Sequence, residues 1–76
     1  MDPQAAWDDL LEALEQRDGD RVEELAEGLL RWLRAGGFPP RAVTGCDLGS
    51  DWDREIALTG CRFALAQARK GMAHVS

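Results

Sequence analysis

Apolar residues along this chain recur in three helical-period segments, separated by breaks rich in glycine and proline. In the first segment Trp7, Leu10, Leu11 and Leu14 stand at i, i+3, i+4 and i+7, with Asp8, Asp9, Glu12 and Glu15 on the other side. That spacing predicts a helix over about residues 3–16. Asp2 is a suitable N-cap, and Pro3 suits the first helical position, where its missing N–H is no loss.

The stretch "RDGD", 17–20, interrupts the period. Gly19 is expected to take the positive φ that ends a helix. Asp20 is then the next N-cap and Glu23 completes a capping box. The second helix is expected over about residues 21–35, with Val22, Leu25, Ala26, Leu29, Leu30, Trp32 and Leu33 as a broad apolar face. Such a short connection predicts antiparallel packing of the two helices. Glu27 and Arg31 have the spacing of an i,i+4 ion pair. Arg31 and Arg34 suit the negative end of the helix dipole.

"GGFPP" follows, with its own turn chemistry. With Gly37 as the left-handed residue, Phe38 would pack on Leu33 as the apolar contact of a Schellman motif. Phe38 and Pro39 each precede a proline and are steered to extended backbone. Gly37, Phe38, Pro39 and Pro40 therefore read as a structural turn with a stiff exit, unlike a flexible linker. Residues 41–50 show no helical period; Gly45 and Gly49 suggest turns, with Val43 and Leu48 dropping onto the helices. A connection this long in a small domain is either functional or well packed.

A third, longer helix is expected over about residues 51–70, with Ser50 as N-cap and Gly71 as the stop. Asp51, Asp53 and Glu55 suit its first turn, Arg69 and Lys70 its last. Its apolar residues form two sets. Trp52, Ile56, Phe63 and Ala64 lie on one face, with Gly60 between them. Leu58, Cys61, Leu65 and Ala68 lie on another. One set suffices to close a three-helix fold. The second set, Leu58, Cys61, Leu65 and Ala68, is expected to form an interface, most simply with a second copy. Gly60 in a helix interior costs about 1 kcal/mol against alanine, which a close helix contact there would explain.

The predicted fold is thus all-α: one domain spanning 1–76, built of a helical hairpin, an extended crossover and a longer third helix. At 76 residues it has a small core, and chains of this size often depend on a staple or a partner subunit. The net charge is −5, unevenly spread. Residues 1–27 hold ten acidic and two basic side chains, and residues 28–76 hold four and seven. The acidic half would repel a phosphate backbone, and the basic half is too dilute for a nucleic-acid footprint. A recognition helix would also present polar groups, where helix three has apolar ones. No apolar run approaches the roughly 20 residues of a membrane span. The start "MDPQAAWDD" lacks the basic and apolar regions of a secretory signal. A cytoplasmic location is expected, with Cys46 and Cys61 as free thiols.

Candidate chemistry is sparse. Cys46, Cys61 and His74 have no paired ligand spacing for zinc. Asp47, Asp51, Asp53 and Glu55 match no calcium-loop register and serve better as helix N-terminal charges. "TGCDLGSD" lacks the lysine of a phosphate loop. No serine lies in a nucleophile motif, and the single histidine is far along the C-terminal tail. No cofactor and no enzymatic activity are expected.

Two resemblances add to this reading. "ALEQRDGDRVEELAEGLLRWL" resembles one tetratricopeptide-type helical hairpin. Trp7 and Leu10 fit its first positions, whereas Glu23 stands where that repeat has a small residue, and no repeat period follows. "LLRWLRAGGFPP" is similar to a segment of short, uncharacterised bacterial helical proteins, which implies fold and compartment alone. The expected function is protein–protein interaction by a small homo-oligomeric module. The alternative is a regulatory or inhibitory protein that sets its acidic N-terminal hairpin against a basic partner.

Overall fold

The computed structural model describes residues 1–71. It contains three helices: α1 (Pro3–Glu15), α2 (Gly19–Arg34) and α3 (Ser50–Arg69). No strand occurs among the described residues. The all-α architecture of hairpin, crossover and longer third helix is the one expected. None of these helices is long and apolar enough to cross a membrane.

The start of α1 follows its sequence signals. The Asp2 carboxylate accepts from the backbone N–H of Gln4 at 3.1 Å and of Ala5 at 3.2 Å, and Pro3 opens the helix. Trp7, Leu10 and Ala13 are buried, and Leu14 packs partly buried beside them. Leu11 leaves the expected stripe and is 46% exposed. It lies beyond the width of surface that α2 and α3 cover.

The hairpin turn is shifted from the expected one. Arg17 takes the positive φ of 56°, and Gly19 already belongs to α2. The Asp18 N–H donates to the Ala13 carbonyl at 3.0 Å and the Arg17 N–H to that of Leu14 at 3.2 Å, which is Schellman bonding. The Asp18 side chain then caps α2 through the Arg21 N–H at 3.3 Å. Asp18 replaces Asp20 as N-cap, and the Asp20–Glu23 capping box does not form. The chain needs one cap residue between the two helices, and closing α1 at Gln16 places Asp18 there.

The helices run alternately up and down. Met1 lies beside Gly28, and Glu12 pairs with Arg21 at 3.4 Å, so α1 and α2 are antiparallel. Arg69 meets Glu23 and Glu27, each at 3.6 Å, while Arg54 reaches Leu33, so α2 and α3 are antiparallel too. Glu27 therefore pairs across to α3 rather than with Arg31. The core is built from Trp7, Leu10, Val22, Ala26, Leu29, Leu33, Ala57, Cys61, Ala64 and their neighbours.

The crossover, 35–49, closes one end of this bundle. Gly36, not Gly37, has the positive φ, at 91°. The Gly36 N–H donates to Leu33 at 3.1 Å and the Gly37 N–H to Trp32 at 2.9 Å. The Schellman motif is therefore present one residue earlier than expected, with Trp32 in place of Leu33 as the apolar partner. Phe38 does not pin on Leu33. It is exposed and meets the Trp32 indole edge-on, ring centres 5.7 Å apart. The Trp32 Nε1–H donates to the Phe38 carbonyl at 2.8 Å. Pro40 is fully buried, and Pro39 partly. Arg41 and Gln4 exchange hydrogen bonds at 2.8 and 3.4 Å, and the buried Asp53 accepts from the Ala42 N–H at 3.2 Å. The Arg54 guanidinium donates to the Leu33 and Gly37 carbonyls, both at 2.9 Å. Val43 and Leu48 stay exposed instead of dropping onto the bundle.

Candidate functional site: two surfaces of the third helix

Helix α3 starts one residue earlier than expected. Gly49, with φ 94°, is the N-cap, and Ser50 lies within the helix without a capping bond. The larger difference is its orientation. Cys61 and Leu65 are buried, and Leu58 and Ala68 pack partly buried against the same core. The expected interface set thus closes the fold, joined by Asp53, Ala57 and Ala64. Of the other set, only Ala64 faces inward. The reason is space: α3 packs closely on α2 and meets the Trp7 ring of α1, and small residues at 57, 61, 64 and 68 permit that approach where tryptophan and phenylalanine would not. Gly60 serves the same closeness, since the Trp7 ring of α1 fills the place of its missing side chain.

Trp52 and Phe63 are left in solvent, 65% and 66% exposed, with Ile56 partly covered between them. At about 100° per residue, Trp52, Ile56, Thr59, Phe63 and Ala66 make one seam spaced four, three, four and three. That is the spacing of a helix-pairing face. Thr59 and Gly60 leave a hollow in it, an open groove of about 530 Å³ that Trp52, Ile56 and Phe63 also line. Glu55 and Arg62 flank the seam on one side.

A second groove, of about 430 Å³, runs between α2 and α3. Leu30 and Leu65, both buried, form its floor. Arg31, Arg34, Arg62 and Arg69 rim it, against the single carboxylate of Glu27. Arg69 is held by Glu23 and Glu27; among the described residues, Arg31, Arg34 and Arg62 have no ion pair. This cluster was partly legible, because Arg31 and Arg34 end α2 and Arg62 and Arg69 stand seven apart on α3. Their convergence needed the α2–α3 packing.

The two cysteines differ. Cys46 is exposed on the crossover, and Cys61 is buried, its thiol pushed up to about 11 by desolvation. Among the described residues no three His, Cys, Asp or Glu side chains gather as a metal site. His74 lies outside the described residues. Gly37, Phe38, Pro39 and Pro40, expected as a structural turn, sit together at the bundle end with Trp32, Gln4, Asp53 and Arg54 arranged around the strip.

Comparison with protein-family models finds no match, and none is found among curated proteins or solved structures.

Proposed function

We propose that the protein is a small, non-catalytic protein–protein interaction module that homo-oligomerises through the outer seam of α3. The exposed Trp52–Phe63 stripe is the observation that supports this reading. Large apolar side chains exposed along one helix face are unusual on a monomer's surface and mark contact sites. The seam is also self-complementary. An antiparallel pairing about a two-fold axis near Thr59 sets Phe63 of each copy against Ile56 of the other, over the hollow at Gly60. The same pairing brings Glu55 of each copy to Arg62 of the other, along the rim.

Burying four rings that are about two-thirds exposed contributes roughly 4–8 kcal/mol. Two unbridged cysteines suit a reducing compartment, and we place the module in the cytoplasm.

Light scattering across micromolar concentrations tests the reading. A dimer that persists at high salt is expected, and Phe63→Asp should return it to a monomer of unchanged helicity, since Phe63 takes no part in the core. A compact wild-type monomer throughout that range and at high salt would overturn the proposal.

A further inference from the structure

We infer that the arginine groove between α2 and α3 is a second, electrostatic docking site, and that it takes the acidic outer ridge of α1 from another copy. The inference is independent of the α3 seam: Arg31, Arg34 and the α1 ridge lie off it, and the two surfaces share only an edge at Arg62 and Ala66.

The groove holds positive charge that the fold itself does not neutralise. Arg31 and Arg34 extend from the last turns of α2 and Arg62 from α3, without carboxylate partners among the described residues. Leu30 and Leu65 give this rim an apolar floor. A site of this kind suits a ridge that is acidic along its crest and apolar at one edge.

The chain has such a ridge. Asp8, Glu12 and Glu15 stand at i, i+4 and i+7 on the exposed side of α1, and Leu11 projects beside them, 46% exposed. Of these carboxylates Glu12 has one exposed ion pair, with Arg21. Exposed pairs of this type are weak and are exchanged for others at little cost. Leu11 has no cover within its own molecule; the leucine floor of another copy's groove would supply one.

Ridge and groove are different patches of one molecule, so the contact is head-to-tail. It closes into a ring or grows open-ended, unlike the symmetric seam. Combined with the seam, it extends assembly beyond two copies.

The test is a charge swap read by sedimentation velocity on the full chain. Ionic strength is varied from about 0.01 M to about 1 M, where the screening length falls from roughly 30 Å to 3 Å. Arg31 and Arg34 are chosen for the groove because they lie off the seam. Wild type should form species larger than the seam dimer at low salt and lose them at high salt. Arg31→Glu with Arg34→Glu should weaken this association at least tenfold, and so should Asp8→Lys with Glu15→Lys. Mixing the two variants should restore it, because each acidic ridge then meets a basic groove and each basic ridge an acidic one. Circular dichroism confirms that each variant is folded. Variants that associate as wild type does, or a mixture that fails to recover, would overturn the inference. So would a wild-type chain that binds a poly-glutamate peptide in the groove without low-salt assembly, since the occupant would then be a foreign acidic segment. A failed seam leaves a monomer at high salt, whereas a failed groove leaves the same species at every salt concentration, so the two results are distinguishable.

Discussion

The ring edge of Trp7 on α1 lies where Gly60 of α3 would carry a side chain: its Cη2 is 2.9 Å from the β-carbon position. This contact lets the two helices close over a shared core. It also sets two effects in opposition at Gly60. Alanine there gains about 1 kcal/mol of helix propensity, but it must displace a buried, rigid indole, which costs about 1–3 kcal/mol. Gly60→Ala should therefore bring no stabilisation, and Gly60→Leu should destabilise by more than ~2 kcal/mol in urea titrations. A full 1 kcal/mol gain for Gly60→Ala would show that the contact is absent.

Gly36 and Gly37 should both resist substitution, for different reasons. Gly36 has positive φ and open space around it, so Gly36→Ala costs about 1 kcal/mol through backbone strain. At Gly37 the β-carbon would overlap the Trp32 indole. Gly37→Ala should cost more, about 1–3 kcal/mol, and shift tryptophan fluorescence as the bond to the Phe38 carbonyl is lost. Trp32→Leu should recover part of the Gly37→Ala loss and none of the Gly36→Ala loss, measured as a double-mutant cycle.

Arg54 ties α3 to the end of α2 by donating to the Leu33 carbonyl in its last turn and to the Gly37 carbonyl just beyond it. Only a guanidinium forks to both. Arg54→Lys should destabilise by about 1–2 kcal/mol and Arg54→Met by somewhat more, within the range for hydrogen bonds to charged groups. Hydrogen exchange should speed up first at the α2 C-terminus and in residues 37–42. Uniform exchange across the chain would contradict this role.

Cys61 should couple stability to alkaline pH. Its thiol is pushed up from 9.0 to about 11 in the fold by burial. Below pH 9 both folded and unfolded chains keep the proton, and this group has no effect. Between about 9 and 11 only the unfolded chain ionises, so stability falls with rising pH and levels off above 11. Cys61→Ser, compared with wild type by thermal melts across that window, should remove this slope. A thiol reagent near pH 8 should label the exposed Cys46 quickly and Cys61 only after unfolding.

The Arg17 backbone, at φ 56°, is in a region that favours glycine. Arg17→Gly should raise the melting midpoint, relieving about 1 kcal/mol of strain offset partly by a looser unfolded chain. An unchanged or lower midpoint would mean the turn is held without strain.

Three helices, their order and most of α1 and α2 were determined by the chain itself. Asp2–Pro3 opens α1, the apolar period runs through to Leu33, and Gly71 stops α3, because caps and periodicity are local physics. The turns at Arg17 and Gly36 were legible only to within one or two residues. Which residue takes the left-handed conformation depends on where helix bonding ends, and the indole of Trp32 settles that at Gly37. The decisive choice at α3 was tertiary. Its two apolar sets look alike in hydropathy, and by size alone the larger residues make the better core. Yet α1 and α2 already supply Trp7, Leu10, Leu29 and Leu33, so little space remains beneath α3. Ala57, Cys61 and Ala64 fit that space, while Trp52 and Phe63 do not. The spacing of small residues around Gly60 was the available signal, but its meaning depended on the ring that lies against it.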